Sequence, residues 1–137
     1  MPPNRRLTIW TYTNMSDPRL TWGEKYIRMR QDPTMDRRCK YGLSAEDGWL
    51  AYVLNGEMFV KRFEYDLYAD YPDWGCAVEL FTNDQILEVE TLGPLAILEP
   101  GETVEHEEQW YLFRNVKLDS TEESIDAAVE ATVATIE

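Results

Sequence analysis

The stretch ILEVETLGPLAILEPGETVEHEE, residues 86–108, predicts most about the fold of this chain. Its start alternates along a strand, so Glu88 and Glu90 share one face while Leu87, Val89 and Thr91 take the other. A Gly-Pro break and then a Pro-Gly turn follow, and we expect a return strand at 104–116 that closes a long hairpin. The stretch therefore predicts antiparallel sheet with two carboxylates on one face.

Strand and turn signals recur before this stretch. Strands are predicted at 7–13, 26–31, 40–44, 48–54, 58–63 and 76–82. Asn55-Gly56 is a strong hairpin signal because both residues tolerate positive φ, and Asn83-Asp84 marks a second tight turn. About eight strands with frequent turns predict an all-β antiparallel β-sandwich over residues 1–118.

The tail, residues 119–137, predicts one C-terminal amphipathic α-helix. Ser120 and Glu123 have the spacing of a capping box, and apolar residues from Ile125 to Ile136 recur at helical spacing. An exposed apolar helix face is unfavourable in water. The helix is therefore expected to cover either the sheet of its own domain or a partner subunit.

The charge of the chain is strongly negative and unevenly distributed. The net charge of -13 argues against a nucleic acid or an anionic membrane surface as partner. Nine of the 13 Lys and Arg lie in residues 1–40, whereas 22 of the 26 Asp and Glu lie in residues 41–137. We expect basic side chains of the first part to lie close to acids of the second.

The cysteines and the remaining motifs exclude several kinds of site. Cys39 and Cys76 have neither metal-ligand nor redox-motif spacing, and no secretion signal or membrane-length apolar run accompanies them. They are predicted to be free buried thiols of a cytoplasmic protein. No calcium loop, phosphate loop or nucleophile elbow is present, so no metal and no cofactor is predicted.

Eight short motifs occur in a characteristic order along the chain. They are WTYT (10–13), DPR (17–19), KYG (40–42), YPDWG (71–75), ELFT (79–82), LEVETLGP (87–94), LEPGE (98–102) and EQWYL (108–112). Together they resemble the C-terminal half of galactose-mutarotase-like proteins, the aldose 1-epimerase-like group, in a branch without an assigned activity. The resemblance covers residues 7–115.

The resemblance implies a large antiparallel β-sandwich with a sugar cleft on one sheet. In the epimerases of this group a Glu near the C-terminus acts as base on the anomeric hydroxyl, and a His from an earlier strand acts as acid. Glu90 is the closest match to that Glu, and Glu88 is the competing alignment. The family domain is about twice as long as this chain, and the only histidine, His106, follows the two glutamates instead of preceding them.

Chemistry adds further candidates and leaves alternatives open. His106 is the candidate acid, although it also suits a surface imidazole among glutamates. Glu88 and Glu90 could instead form ion pairs with the basic residues at 19–40. The predicted ligand-contacting side chains are Arg19, Lys40, Tyr52, Lys61, Trp74 and Glu79. Arg19 equally suits a loop brace that donates to backbone carbonyls, and the tryptophans suit either core packing or sugar stacking.

Three functions follow from this interpretation. The first is a mutarotase-like, carbohydrate-binding protein that could also epimerise an aldose with Glu90 as base. The second is a non-catalytic module that binds a sugar or another small polar ligand. The third is a structural remnant of the family, which completes its sheets with a second copy. Because a half-length sandwich exposes sheet edges, a homodimer is predicted.

Overall fold

The computed structural model of the chain describes residues 5–136; residues 1–4 and 137 lie outside the described part. Nine strands precede one C-terminal helix, Glu122–Ala131, and a 3₁₀ turn, Val133–Thr135. The strands are β1 (Leu7–Ile9), β2 (Leu20–Trp22), β3 (Ile27–Met29), β4 (Cys39–Leu43), β5 (Trp49–Leu54), β6 (Glu57–Arg62), β7 (Val78–Thr82), β8 (Leu87–Thr91) and β9 (Gln109–Phe113). The predicted all-β class with one C-terminal helix is confirmed.

The strands form three antiparallel sheets. A four-stranded sheet has the order β1-β4-β7-β8, a three-stranded sheet has the order β5-β6-β9, and β2 pairs with β3 as a hairpin. Asn55 and Gly56, with φ of 52° and 79°, make the tight turn between β5 and β6 as predicted. Asn83 caps the turn between β7 and β8, because its Oδ1 accepts from the backbone N–H groups of Gln85 and Ile86.

Strand alternation gives the four-stranded sheet two chemically different faces. Tyr41, Leu80 and Val89 oppose one another in the ladder and mark its apolar face. The other face carries the acids of β7 and β8, and we call it the Glu90 face. There the register aligns Gly42, Glu79 and Glu90 in one row.

Apolar side chains join the sheets at two places. Tyr41 and Cys39 pack against Leu20 of the β2–β3 hairpin, and Val78 packs in a cluster with Leu50 of the three-stranded sheet. The four-stranded sheet therefore buries its apolar face against both other sheets. Its Glu90 face carries Lys40, Glu79, Glu88 and Glu90 together with Phe81.

The C-terminal helix covers the three-stranded sheet of its own chain. Val133 forms a buried cluster with Met58 and Val60, and Val129 packs against it. The N-cap is Thr121, whose Oγ1 accepts from the backbone N–H of Ser124 at 3.2 Å, so the predicted capping box at Ser120 is one residue too early. Both positions carry a hydroxyl, and the sequence pattern alone could not separate them.

The predicted long hairpin between residues 86–91 and 104–116 is wrong. β8 pairs only with β7, whereas β9 pairs with β6 of the other sheet. After β8 the chain leaves the ladder at Gly93-Pro94, and the backbone N–H of Leu95 donates to Asp70 O at 2.7 Å. After this contact the chain continues to β9 in the three-stranded sheet.

The sequence pattern also missed one strand, β2, which the structure shows at Leu20–Trp22.

The expected attraction between the two parts of the chain is confirmed. Lys25 of the first part pairs with Asp126 of the helix, and Lys40 pairs with Glu79 and Glu90. Cys39 and Cys76 are free and buried, as predicted. None of the helices in residues 5–136 has the length and apolar character that a membrane crossing requires.

Candidate functional site

Lys40 on β4 is the centre of a polar cluster on the Glu90 face. Its Nζ lies 2.5 Å from Glu79 Oε2 on β7 and 3.6 Å from Glu90 Oε2 on β8. The Nζ also lies 4.7 Å from the ring centroid of Trp10, which follows β1. We call Trp10, Lys40, Glu79 and Glu90 the Lys40 cluster. It is assembled from four strands or strand ends that the sheet register brings side by side.

The members of this cluster differ in exposure. The Glu79 side chain is 4% exposed, Lys40 is 19% exposed and Glu90 is 45% exposed. Glu79 and Lys40 thus form a closed pair, whereas Glu90 faces solvent beside the same ammonium.

Glu79 combines a raised pKa with a buried carboxyl oxygen. Burial raises its pKa, Asp73 raises it further, and the ammonium of Lys40 only partly offsets the two. Its Oε1 is buried and has no hydrogen-bond partner within the described part of the chain. Lys40 itself has a raised pKa, since ion pairing with Glu79 and Glu90 outweighs the lowering effect of burial. The cluster therefore places two carboxyl groups around one ammonium group, that of Lys40.

A turn at Pro72–Gly75 borders the cluster. Thr8 on β1 lies opposite Gly42 in the ladder, and its Oγ1 donates to Asp73 O at 3.0 Å. A Cβ on Gly42 would lie 2.5 Å from Cys76 Sγ, so the turn packs directly over that position. Glycine at 42 is needed for this close approach.

His106 belongs to a different cluster, on the apolar side of β8. Its Nε2 lies 2.8 Å from Thr91 Oγ1, and that hydroxyl also donates to the carboxylate of Glu108. A hydroxyl has one proton, so Nε2–H of His106 must be the donor to Thr91. Because Thr91 and Glu90 are neighbours on one strand, their side chains point to opposite faces. The structure does not bring His106 to Glu88 or Glu90.

Glu108 ties this second cluster to the three-stranded sheet. Lys61 Nζ lies 3.1 Å from Glu108 Oε1, and Trp110 Nε1 donates to Oε2 at 2.6 Å. Burial would raise the pKa of Glu108, but hydrogen bonds from Thr91, Trp110 and Lys61 outweigh it and lower the pKa. Lys61, predicted to contact a ligand, is thus the ion-pair partner of Glu108.

An open groove of about 770 Å³ lies beside His106, away from the Lys40 cluster. The stacked rings of Tyr65 and Tyr71, with centroids 4.7 Å apart, lie in its wall with Phe63. Its remaining lining is polar except for Pro94, and half of these residues are acidic. The residues are Arg62, Glu64, Asp66, Pro94, Glu105, His106, Glu107 and Gln109.

Arg19 lies inside the fold. Its guanidinium forms a two-point contact with Asp17, at 3.0 and 2.9 Å, and donates to the backbone carbonyls of Met35 and Arg37. Its side chain is 2% exposed, so a ligand cannot reach it. We therefore replace its assignment as a ligand contact by the alternative, a brace for residues 32–38.

The other predicted contacts are dispersed. Tyr52 lies on the outer face of the three-stranded sheet, opposite Phe59, and Trp74 is 89% exposed on the Pro72–Gly75 turn. Glu88 is half-buried opposite Phe81 and has no ion-pair partner among residues 5–136. Of the predicted residues, Lys40, Glu79 and Glu90 meet in one place.

Sequence reasoning gave Trp10 no role beyond the one shared by all the tryptophans and included Asp73 only as part of a motif. Trp10 lies in the WTYT motif directly after β1, and Asp73 lies in YPDWG. The sequence feature that could have identified both residues is their position just outside predicted strands, from which a side chain can reach over a neighbouring strand. Among the described residues no three His, Cys, Asp or Glu side chains are arranged to hold a metal ion.

Comparison of this chain with protein-family models, with curated proteins and with solved structures found no match. The features of this chain that bear on its function are therefore the geometry of the Lys40 cluster and the motif order of the sequence.

Proposed function

We propose that this chain is a mutarotase-like, carbohydrate-binding protein that holds a sugar at the Lys40 cluster. In this proposal the three sheets are a half-length form of the family sandwich, and the ligand lies on the Glu90 face. The two unpaired buried thiols support a reducing, cytoplasmic setting.

The observation that carries the proposal is the unequal spacing around Lys40. The contact with Glu79 is closed at 2.5 Å, whereas Glu90 stands at 3.6 Å and its side chain is 45% exposed. One sugar hydroxyl can act as both acceptor and donor. It can therefore accept a hydrogen bond from the Lys40 ammonium and donate one to the Glu90 carboxylate. Such charge-assisted hydrogen bonds are the strong class for neutral polar ligands.

The position of His106 favours binding without catalysis. Epimerisation needs a base and an acid on one substrate, and His106 lies on the other face of β8 from Glu90. Glu79, whose pKa is raised by burial, is the other carboxyl beside Lys40, but its side chain is almost fully buried and no substrate reaches it. Aldose epimerase activity, with Glu90 as base, is therefore the second candidate.

Replacing Glu90 by glutamine is expected to weaken sugar binding about tenfold, because one hydrogen bond to a charged group is lost. Binding is measured by NMR titration over a panel of aldoses. Glu123→Gln, which removes an exposed helix carboxylate, is the charge-matched control. Glu88→Gln separates the two candidate alignments. Anomeric exchange followed by NMR then tells a binder from an epimerase.

Two results would refute this site. Wild-type protein that binds none of the panel would remove the carbohydrate proposal. Binding that survives Glu90→Gln but is lost in His106→Gln would move the ligand to the groove beside His106.

We also propose a homodimer formed through the exposed part of the helix-free face of the three-stranded sheet, which carries Tyr52, Trp110 and Leu112. Trp110 and Leu112 on the edge strand β9 are 67% and 77% exposed, and the helix covers the opposite face. Exposed apolar side chains on a free edge favour pairing with another chain. Leu112→Glu should give a monomer in light scattering, whereas Ile97→Glu, on another exposed segment, should not. A wild-type monomer at micromolar concentration would contradict this proposal.

A further inference from the structure

The groove beside His106 is separate from the Lys40 cluster and has an aromatic wall. Tyr65 and Tyr71 stack there with ring centroids 4.7 Å apart and an interplanar angle of 7°. Tyr71 is 5% exposed, and its hydroxyl accepts from the backbone N–H of Asp66 at 2.9 Å, which holds the chain after Tyr65 in place. The aromatic wall is therefore formed before any ligand arrives.

The second wall, residues 105–107, is anchored through His106. Its Nε2 lies 2.8 Å from Thr91 Oγ1, and a Cβ on Gly93 would lie 3.3 Å from its ring, so the imidazole packs closely on that glycine. The imidazole also lies 6.3 Å from the ring of Phe63, measured between centroids. The space beside these groups, about 770 Å³, is within the range of small-molecule pockets.

The groove is rich in hydrogen-bond acceptors and poor in donors. Four carboxylates line it but only one guanidinium, that of Arg62, which donates to a backbone carbonyl. Within residues 5–136, Glu64, Glu105 and Glu107 form no ion pair. The Nε2–H of His106 is already donated to a hydroxyl, so its neutral ring adds only an acceptor. This lining favours a ligand that is cationic and carries several N–H donors.

We propose that this groove binds a small planar organic cation of the amidinium or guanidinium class. The cation lies against the Tyr65–Tyr71 stack and donates its N–H groups to Glu105 and Glu107. Aromatic faces attract cations, and a planar delocalised cation also stacks on them, whereas an ammonium is a point charge. The planar fork of N–H groups also fits two-point contacts with carboxylates. The site does not depend on the proposed sugar site, which lies on the other face of β8.

Calorimetric titration with benzamidine and benzamide tests this proposal, because the two ligands share one shape and differ in charge. Wild-type protein should bind benzamidine at least about tenfold more tightly, since hydrogen bonds between charged groups are the stronger class. The double variant Glu105→Gln/Glu107→Gln should bind both ligands with similar weak affinity. Tyr65→Leu should weaken benzamidine binding about threefold, because the aromatic face is lost.

The double variant Glu123→Gln/Glu130→Gln is the matched control. It removes the same charge from exposed positions of the C-terminal helix, outside the groove, and should keep the wild-type affinity for benzamidine. The glutamates of both pairs are exposed, so the thermal midpoints of both double variants should match that of wild-type protein. Glu90→Gln should also keep the benzamidine affinity, which separates this site from the proposed sugar site.

Four results would overturn the proposal. Wild-type protein could bind benzamidine no more tightly than benzamide, or show no saturable binding of either. Equal losses in the two double variants would show diffuse attraction of a cation to an acidic protein. Loss of benzamidine binding in Glu90→Gln would place the cation at the Lys40 cluster, and unchanged affinity in Tyr65→Leu would exclude the stacking contact.

Discussion

Replacement of Arg19 by alanine is expected to destabilise the fold by about 3–5 kcal/mol, the range for breaking a buried ion pair by removing one partner. Asp17 is 1% exposed on its side chain, and Arg19 supplies its two-point contact. Without the guanidinium the carboxylate is buried with too few donors, and the carbonyls of Met35 and Arg37 lose theirs. Chemical denaturation of wild-type and variant protein measures the free energy of unfolding.

Arg37→Ala is the matched control for this prediction. Arg37 lies 3.9 Å from the same Asp17 oxygen, but its side chain is 51% exposed. Exposed pairs contribute about 0–1 kcal/mol, so this loss should be small. Equal losses of unfolding free energy in the two variants would show that the buried contact of Arg19 contributes no more stability than the exposed contact of Arg37.

Acid titration shows in which direction the stability contributed by the Asp17–Arg19 pair changes with pH. The hydrogen bond from Arg19 is the main reason why the pKa of Asp17 is lowered below its ordinary 3.8. A lowered carboxyl pKa stabilises the fold above the unfolded value, and this contribution disappears as the pH falls through the folded value. The wild-type advantage over Arg19→Ala should therefore shrink in strong acid.

Replacement of Lys40 by methionine should have the second large effect, a loss of about 3 kcal/mol at neutral pH, because a buried carboxylate then lacks its cation. Methionine keeps the length and the apolar stem that pack near Trp10. Glu79 would then have no ammonium at 2.5 Å, and its already raised pKa would rise further. Ligand affinity should fall in the same variant, since Lys40 is the proposed hydroxyl donor.

The loss in Lys40→Met should also grow as the pH rises, as the loss in Arg19→Ala does, but over a higher pH range, because the folded-state pKa of Glu79 is raised whereas that of Asp17 is lowered. A carboxyl with a raised pKa binds its proton more readily when folded, so its contribution is present below the unfolded value of 4.5 and is lost as the pH rises through the folded value. Without Lys40 the folded-state pKa of Glu79 is higher still, so the pH range over which protonation of Glu79 stabilises the fold extends further upward. The difference from wild type should be small near pH 4 and full at neutral pH.

Lys25→Met is the control for Lys40→Met. Lys25 pairs with Asp126, but its side chain is 60% exposed. The stability lost in Lys25→Met should therefore be small, because an exposed ion pair is screened by water. A pH-independent loss in Lys40→Met would contradict the assignment of the effect to Glu79.

The sequence predicted features that depend on near neighbours along the chain. The alternation that places Glu88 and Glu90 on one face of β8, the Asn55-Gly56 turn and the C-terminal helix are all visible in local patterns, because side-chain period and turn chemistry act over a few residues. The charge asymmetry also predicted that basic side chains of residues 1–40 would meet acids of the second part of the chain, as Lys40 does.

Features that depend on strand pairing needed the tertiary structure. Lys40, Glu79 and Glu90 meet because β4, β7 and β8 are adjacent in the sheet, and no local pattern specifies that order. The mistaken hairpin at 86–116 shows the same limit, since the Pro-Gly turn is correctly recognised but β9 joins the other sheet.

From its sequence alone, this chain is an acidic, antiparallel β protein with paired glutamates on one strand and a C-terminal helix. Only the tertiary structure decided that Glu90 faces Lys40, that His106 lies on the opposite side of β8, and that Arg19 is a buried brace. The physical reason is that strand period and turns are short-range properties. Ion pairs and burial instead depend on which distant segments become neighbours when the apolar faces are buried.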